Sequence, residues 1–247
     1  MQPKVLHPPM RCPETNHFLF NYAIKRGESA AGRTHLSMAG GIYEVPPDRE
    51  EILHRCMQTD LVYYGLRTYL VEIRTYVFPM LFDFDFFLPP AAPPITVLLF
   101  AEKVLRRVIQ VIRLFFPSLE KKTGRGVVCT AASKQVMRDV KVNGKEIRLA
   151  MQKYGFHVIF PDVLVDKTNA LIVREAVVGD LEKQLGTELI TFTDPATNEL
   201  YEMDTWRTVV DESVIKENGL RMLGANKVDN CPVQHTAVKC AVCDGKK

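Results

Sequence analysis

Leu81-Phe82-Asp83-Phe84-Asp85-Phe86-Phe87 places two carboxylates two residues apart inside an aromatic run. In a strand, the period of two sets Asp83 and Asp85 on one face and Phe82, Phe84 and Phe86 on the other. The Phe face can anchor in a core. The Asp face then presents paired negative charges with no base nearby in sequence. Two hard oxygen ligands suit Mg²⁺ or Mn²⁺. An edge strand carrying two solvated acids fits the same seven residues, so the pair needs partners from elsewhere in the chain before it makes a site.

Three further groups qualify. In Lys153-Tyr154-Gly155-Phe156-His157 a strand puts Lys153, Gly155 and His157 on one face, with the glycine leaving room for phosphate oxygens to approach. Taken alone, His157 equally suits a core histidine satisfied by a backbone carbonyl. Asp211 ends a short apolar run after Trp206 and would complete a carboxylate triad. Arg221 and Lys227, beyond an Asn218-Gly219 turn, would add cationic donors for a triphosphate.

The elements that must position these residues are legible in part. Thr34 to Tyr43 reads as a strand, a Gly40-Gly41 turn and a return. Pro47-Asp48 opens a helix expected to run to about Gln58. Arg67 to Tyr76 reads as a strand leading into the Asp-x-Asp strand. The Pro-rich stretch 89–94 is a stiff connector. Apolar residues from Val97 to Phe116 recur at helical spacing. Gly126 to Ala131 and Gly155 to Pro161 read as strands, and Asn143-Gly144 as a hairpin turn. A helix from Asn169 to about Leu185 has Asp166 or Thr168 as its cap. Strands alternating with helices predict a mixed α/β (α+β) architecture.

The chain of 247 residues can bury a sizeable core, and 47% hydrophobic with 25% charged residues is ordinary for a globular protein. The net charge is only +3, but its distribution is uneven. Residues 101–153 hold thirteen Lys/Arg against four acids, and residues 160–212 hold four against twelve. That asymmetry fits polyphosphate or nucleic acid held beside metal-binding carboxylates, and equally fits charge balancing over a surface. Dispersed cysteines and the absence of a signal-peptide pattern predict a reduced, intracellular protein. No apolar run is long enough to span a bilayer.

The order Asp-x-Asp, a strand ending in His, then an apolar-Asp followed by Arg and Lys resembles the archaeo-eukaryotic primase superfamily. Tyr154-Gly-Phe-His-Val158 and Asn218-Gly-Leu-Arg-Met-Leu-Gly-Ala-Asn-Lys227 resemble most the primase domains of large DNA viruses, namely poxvirus and African swine fever virus primase-helicases and the herpesvirus primase. Eukaryotic PrimPol shares the pattern. The resemblance spans about Thr34 to Lys227. It implies an RRM-like catalytic sheet facing a second αβ module across a cleft, with a catalytic domain over 34–228 after a loosely structured lead-in over 1–33. It implies a template-dependent DNA primase or primase-polymerase in which Asp83, Asp85 and Asp211 hold two divalent metals, Mg²⁺ or Mn²⁺. Lys153, Gly155, His157, Arg221 and Lys227 would contact the incoming nucleotide. The family's second motif commonly has Ser two residues before its His. Gly155 stands there in this chain, and its backbone amide can substitute for the hydroxyl.

Implied partners are single-stranded DNA, nucleoside triphosphates and a replicative helicase in cis or in trans. The basic segment 101–153 would follow the template backbone. The setting would be the host cytoplasm or nucleus. A primase-like module that binds single-stranded DNA for a helicase, and a metal-dependent nuclease or phosphohydrolase, are the competing readings. In the tail over 229–247, Cys231, His235, Cys240 and Cys243 offer four soft ligands, and Cys-x2-Cys is a zinc-knuckle spacing. Half of a site completed beyond residue 247 fits the same spacing.

Overall fold

The structure is a computed structural model describing residues 12–25, 27–29, 31–90, 92, 97–117, 126–130, 133–187, 190–216, 219–222, 225 and 239–243, with backbone alone at 97–101 and 239–243. In chain order the elements are α1 (Pro13–Phe20), β1 (His35–Ser37), β2 (Ile42–Tyr43), α2 (Glu50–Tyr64), β3 (Leu70–Glu72) and β4 (Val77–Leu88). Next come α3 (Val97–Phe115), β5 (Gly126–Thr130), β6 (Lys134–Val142), β7 (Lys145–Asp166) and α4 (Lys167–Leu185). The last are β8 (Thr191–Thr193), β9 (Leu200–Glu202), α5 (Trp206–Val209), β10 (Val210–Asp211), α6 (Ser213–Lys216), β11 (Leu220–Arg221) and β12 (Lys239–Cys243). This is the mixed architecture expected of a primase-type domain, with helices on antiparallel sheets.

The chain divides into two compact units, residues 1–75 with 218–234, and residues 76–217 with 235–247. The first holds a four-stranded sheet of order β11-β3-β1-β2 and the helices α1 and α2, which pack on each other. Its core gathers Leu19, Val45, Leu53, Met57, Leu70 and Met222. Within the segment expected to be loose, α1 forms because a distant residue caps it. Cys12 at its N-cap makes no side-chain cap bond, but the fully buried Asp60 of α2 accepts from the backbone N–H groups of Glu14 (3.2 Å) and Thr15 (2.9 Å). Helix α2 runs past the expected Gln58 and stops at Gly65, whose φ of +66° is left-handed.

The second unit is built on β7, which is 22 residues long. β4 pairs with one edge of it, and β5 and β6 pair with the other, all antiparallel. β10 extends the sheet beyond β4. The β6–β7 hairpin turns at Asn143 (φ +50°) and Gly144 (φ +77°), the two left-handed positions a tight hairpin needs. Phe82, Phe84 and Phe86 are at most 1% exposed, and Phe84 stacks on Phe156 at 4.7 Å. Helices α3 and α4 lie against β7, and α4 also against β4. Because the Phe face is sealed and the Asp face is partly open, these helices cover the Phe face. Asp166 caps α4 by accepting from Asn169 N–H at 2.8 Å. Among the described residues no helix is long and apolar enough to cross a membrane.

Candidate active site

Strand register assembles the site. Asp83 pairs with Asp211 on β10 and with His157 on β7, and His157 pairs with Cys129 on β5. One row therefore crosses four strands, and directly opposed residues share a face. The next row joins Asp85 to Gly155, and the one after joins Phe87 to Lys153. Asp83, Asp85, Lys153, Gly155, His157 and Asp211 thus occupy one face of one sheet, as the period of two predicts.

The side chains interlock. His157 Nε2 lies 3.2 Å from Asp83 Oδ1, and Lys153 Nζ lies 2.5 Å from Asp85 Oδ2. Burial and the neighbouring Asp83 charge hold the Asp85 carboxyl above the usual range, against the pull of Lys153. A carboxylate pair that already draws one ammonium and one imidazole has the electrostatics of a cation site, and its oxygen donors are those a hard divalent ion prefers. Asp211 sits in line, yet both its oxygens are engaged at 2.8 Å, one by Ser213 N–H and one by Ser213 Oγ. Among the described residues no three His, Cys, Asp or Glu side chains are gathered into a closed metal cluster.

Gly155 has a steric reason. A Cβ there would lie 2.8 Å from Asp85 Oδ1 and 3.5 Å from the Phe84 carbonyl oxygen. The position given to serine in the family's second motif is thus filled, in this chain, by the Asp85 carboxylate.

Arg221 lies exposed on β11 of the first unit. Lys227, Cys231 and His235 lie outside the described residues. Cys240 and Cys243 fall in β12, an extended strand paired with β5, whereas a knuckle needs a turn between such ligands, so the backbone lends zinc no support there. Among the described residues the basic segment does not form one track. Arg107 forks onto Asp180 of α4 (2.8 and 2.6 Å) and Arg106 pairs with Glu102. These α3 cations lie on the helix-covered side of the sheet, away from the carboxylates.

Two groups of consequence were missed. Arg174 of α4 is fully buried. Its Nε donates to the Val210 carbonyl at 3.1 Å, and its Nη2 donates to the Val210 and Arg207 carbonyls, each at 2.5 Å. Glu175 pairs with its Nη1. It is the guanidinium beneath the two-residue strand that carries Asp211. The readable signal was a charged residue inside the apolar stripe of Ala170, Val173, Val177 and Leu181. The second group is Arg138, which forks onto Asp204 (2.7 and 3.2 Å) and stacks 4.0 Å over the Phe87 ring beside Lys153. Its partner lies 66 residues away, and local pattern does not reach that far.

Residues 34–239 match the family model described as the C962R protein N-terminal AEP domain. No curated protein matches the chain.

Proposed function

Since the chain belongs to the archaeo-eukaryotic primase superfamily, as an N-terminal domain of the C962R type, its function is that of a primase-like nucleotidyltransferase, and we propose that it makes short primers on single-stranded DNA. The supporting observation is the register that sets Asp83 between Asp211 and His157, with Asp85 and Lys153 on the same face. Asp83, Asp85 and Asp211 would hold two divalent cations, which supply activation of the attacking 3′-oxygen and neutralise charge on the leaving pyrophosphate. His157 and Lys153 would donate to the incoming triphosphate, because charge accumulates on the phosphates during transfer. Gly155 would meet the same phosphates only once a bound cation draws the Asp85 carboxylate off its backbone. Arg221 and Lys227 add phosphate contacts, and a helicase supplies the unwound template.

The test is incorporation of labelled ribo- or deoxynucleotides on a single-stranded template with Mg²⁺ or Mn²⁺. Wild type yields short products. Asp83→Ala combined with Asp85→Ala abolishes them, a loss of at least about a thousandfold, while the fold persists by circular dichroism. Retention of full activity by the double variant sinks the site. A wild type that binds DNA and never incorporates a nucleotide leaves the competing reading, a DNA-binding module serving a helicase.

A further inference from the structure

Arg138 of β6 takes no part in the chemistry above, yet the edge of the carboxylate site is built around it. Its guanidinium lies 4.0 Å over the Phe87 ring. Phe87 follows Asp85 by two residues and so shares the carboxylate face, and its direct partner on β7 is Lys153. The Lys153 ammonium lies 5.7 Å from the centre of the same ring, within cation–π reach. Two cations thus address one ring. Cations so placed repel each other, and each needs an anion of its own. Lys153 has Asp85, at 2.5 Å. Arg138 has Asp204, through a fork of 2.7 and 3.2 Å.

Asp204 is the unusual member of this set. Its side chain is only 2% exposed. Burial pushes its carboxyl above the usual range, against the pull of Arg138 and Thr208, and the Asp85 charge adds to the push, so the two carboxylates lie within one another's field. Besides Arg138, its side-chain donor among the described residues is the neutral Thr208 Oγ1, at 3.1 Å. A buried carboxylate deprived of its guanidinium draws another cation, because an unpaired charge in the interior is costly. Lys153, at the same ring, is in position to answer. Asp85 and Asp204 are therefore two competing seats for one ammonium, and Arg138 closes the second.

We propose that Arg138 is a positioning residue: by saturating Asp204 it keeps the Lys153 ammonium on the Asp85 side, available to an incoming triphosphate, while touching neither nucleotide nor metal itself. The inference rests on the primase reading, which gives Lys153 a triphosphate to meet. Phe87 serves it by holding the guanidinium on its ring. Without Arg138 the ammonium passes to Asp204, and Asp85 loses its counter-charge.

The experiment reads two titrations on variants of the full chain. One is Mn²⁺ without nucleotide, followed by electron paramagnetic resonance. The other is a fluorescent nucleoside triphosphate with Mg²⁺, followed by anisotropy. Arg138→Met, which keeps bulk on the Phe87 ring, is expected to tighten Mn²⁺ several-fold, since Lys153 no longer competes at Asp85, and to weaken the triphosphate about tenfold. In a Lys153→Met background the same substitution changes neither, because its effect travels through Lys153. Arg138→Met combined with Asp204→Asn leaves no buried charge to capture the ammonium, and returns both affinities to within about twofold of wild type. That pair carries the test if the single variant does not fold. Mn²⁺ and triphosphate weakened together, a further loss in the Lys153→Met background, or no recovery in the pair shows Arg138 touching the nucleotide or merely supporting the fold, and overturns the proposal. Affinities unchanged in Arg138→Met overturn it as well. Incorporation by wild type is scored separately. A wild type that incorporates nothing while both titrations run as expected fells the primase reading and leaves this one standing. A wild type that incorporates while the titrations fail does the reverse, and one that binds no triphosphate overturns both.

Discussion

Gly155 is the residue on which the geometry of the carboxylate pair turns most directly. Its missing side chain is the space occupied by Asp85 Oδ1. Gly155→Ala is expected to swing that carboxylate away from Asp83 and lower nucleotide incorporation about 10- to 100-fold, with little change in melting temperature because the strand remains paired. Measuring both quantities on one preparation separates misplacement from unfolding. Lys153 poses a different question. Its ammonium sits on Asp85, where a divalent ion would compete with it. Lys153→Met is therefore expected to tighten Mn²⁺ binding several-fold without nucleotide, read by electron paramagnetic resonance, and to weaken nucleotide binding about tenfold. Parallel losses in both would refute the competition. The common face of the aspartates, the glycine, the lysine and the histidine is readable from the sequence, because parity along a strand is a local property. The pairing of Arg138 with Asp204 is not, because it depends on a contact between distant segments.

At the scale of elements, the weakest support under the site is β10, which is only two residues long. Arg174 compensates from below by donating to the Val210 and Arg207 carbonyls. A buried guanidinium with one partner removed is costly, and the converse holds for its acceptors. Arg174→Met is expected to destabilise the fold by about 3 kcal/mol and to weaken Mn²⁺ binding through Asp211, while Arg174→Lys restores stability in part but not Mn²⁺ affinity, since one ammonium cannot reproduce the fork. Chemical denaturation and metal titration of the two variants decide it. The long helices, the hairpin turn and the Asp-x-Asp strand were legible because periodicity and turn chemistry act within a few residues. α1 escaped notice because its cap, Asp60, is contributed from 45 residues away. The full length of β7 escaped because Pro161 interrupts the pattern. The strand continues past it only because pairing with β4 resumes at Leu164 opposite Pro79.

Across the whole molecule, the two units carry separate cores, and a buried histidine gives the first its own acid sensitivity. His35 is 2% exposed, and burial, helped by the His54 charge, pushes its imidazole down to about 4. Thr34 Oγ1 lies 2.9 Å from its Nδ1 and accepts from Val45 N–H at 2.8 Å, an arrangement suited to a neutral ring. The unfolded chain takes up this proton near the ordinary value of 6.5, so the stability His35 contributes is complete above that pH and is lost as pH falls toward about 4. Relative to His35→Gln, wild type should lose on the order of 3 kcal/mol across that window. Hydrogen exchange should show the loss in β1 to β3 and leave β4 and β7 protected. The split into two units was not apparent in composition, since residues 218–234 return to the first unit only through the pairing of β11 with β3. The register also governs how such a chain can vary in length. One residue gained or lost within residues 80–88 or 152–160 would exchange the faces of that strand and send its polar side chains into the phenylalanine layer. At residues 161–163, β7 already holds positions with no partner on β4, so an insertion there leaves both faces unchanged. Descendants of this sequence can therefore exchange residues along these strands only within the polarity each face demands, and can change in length only at that interruption and in the connecting loops.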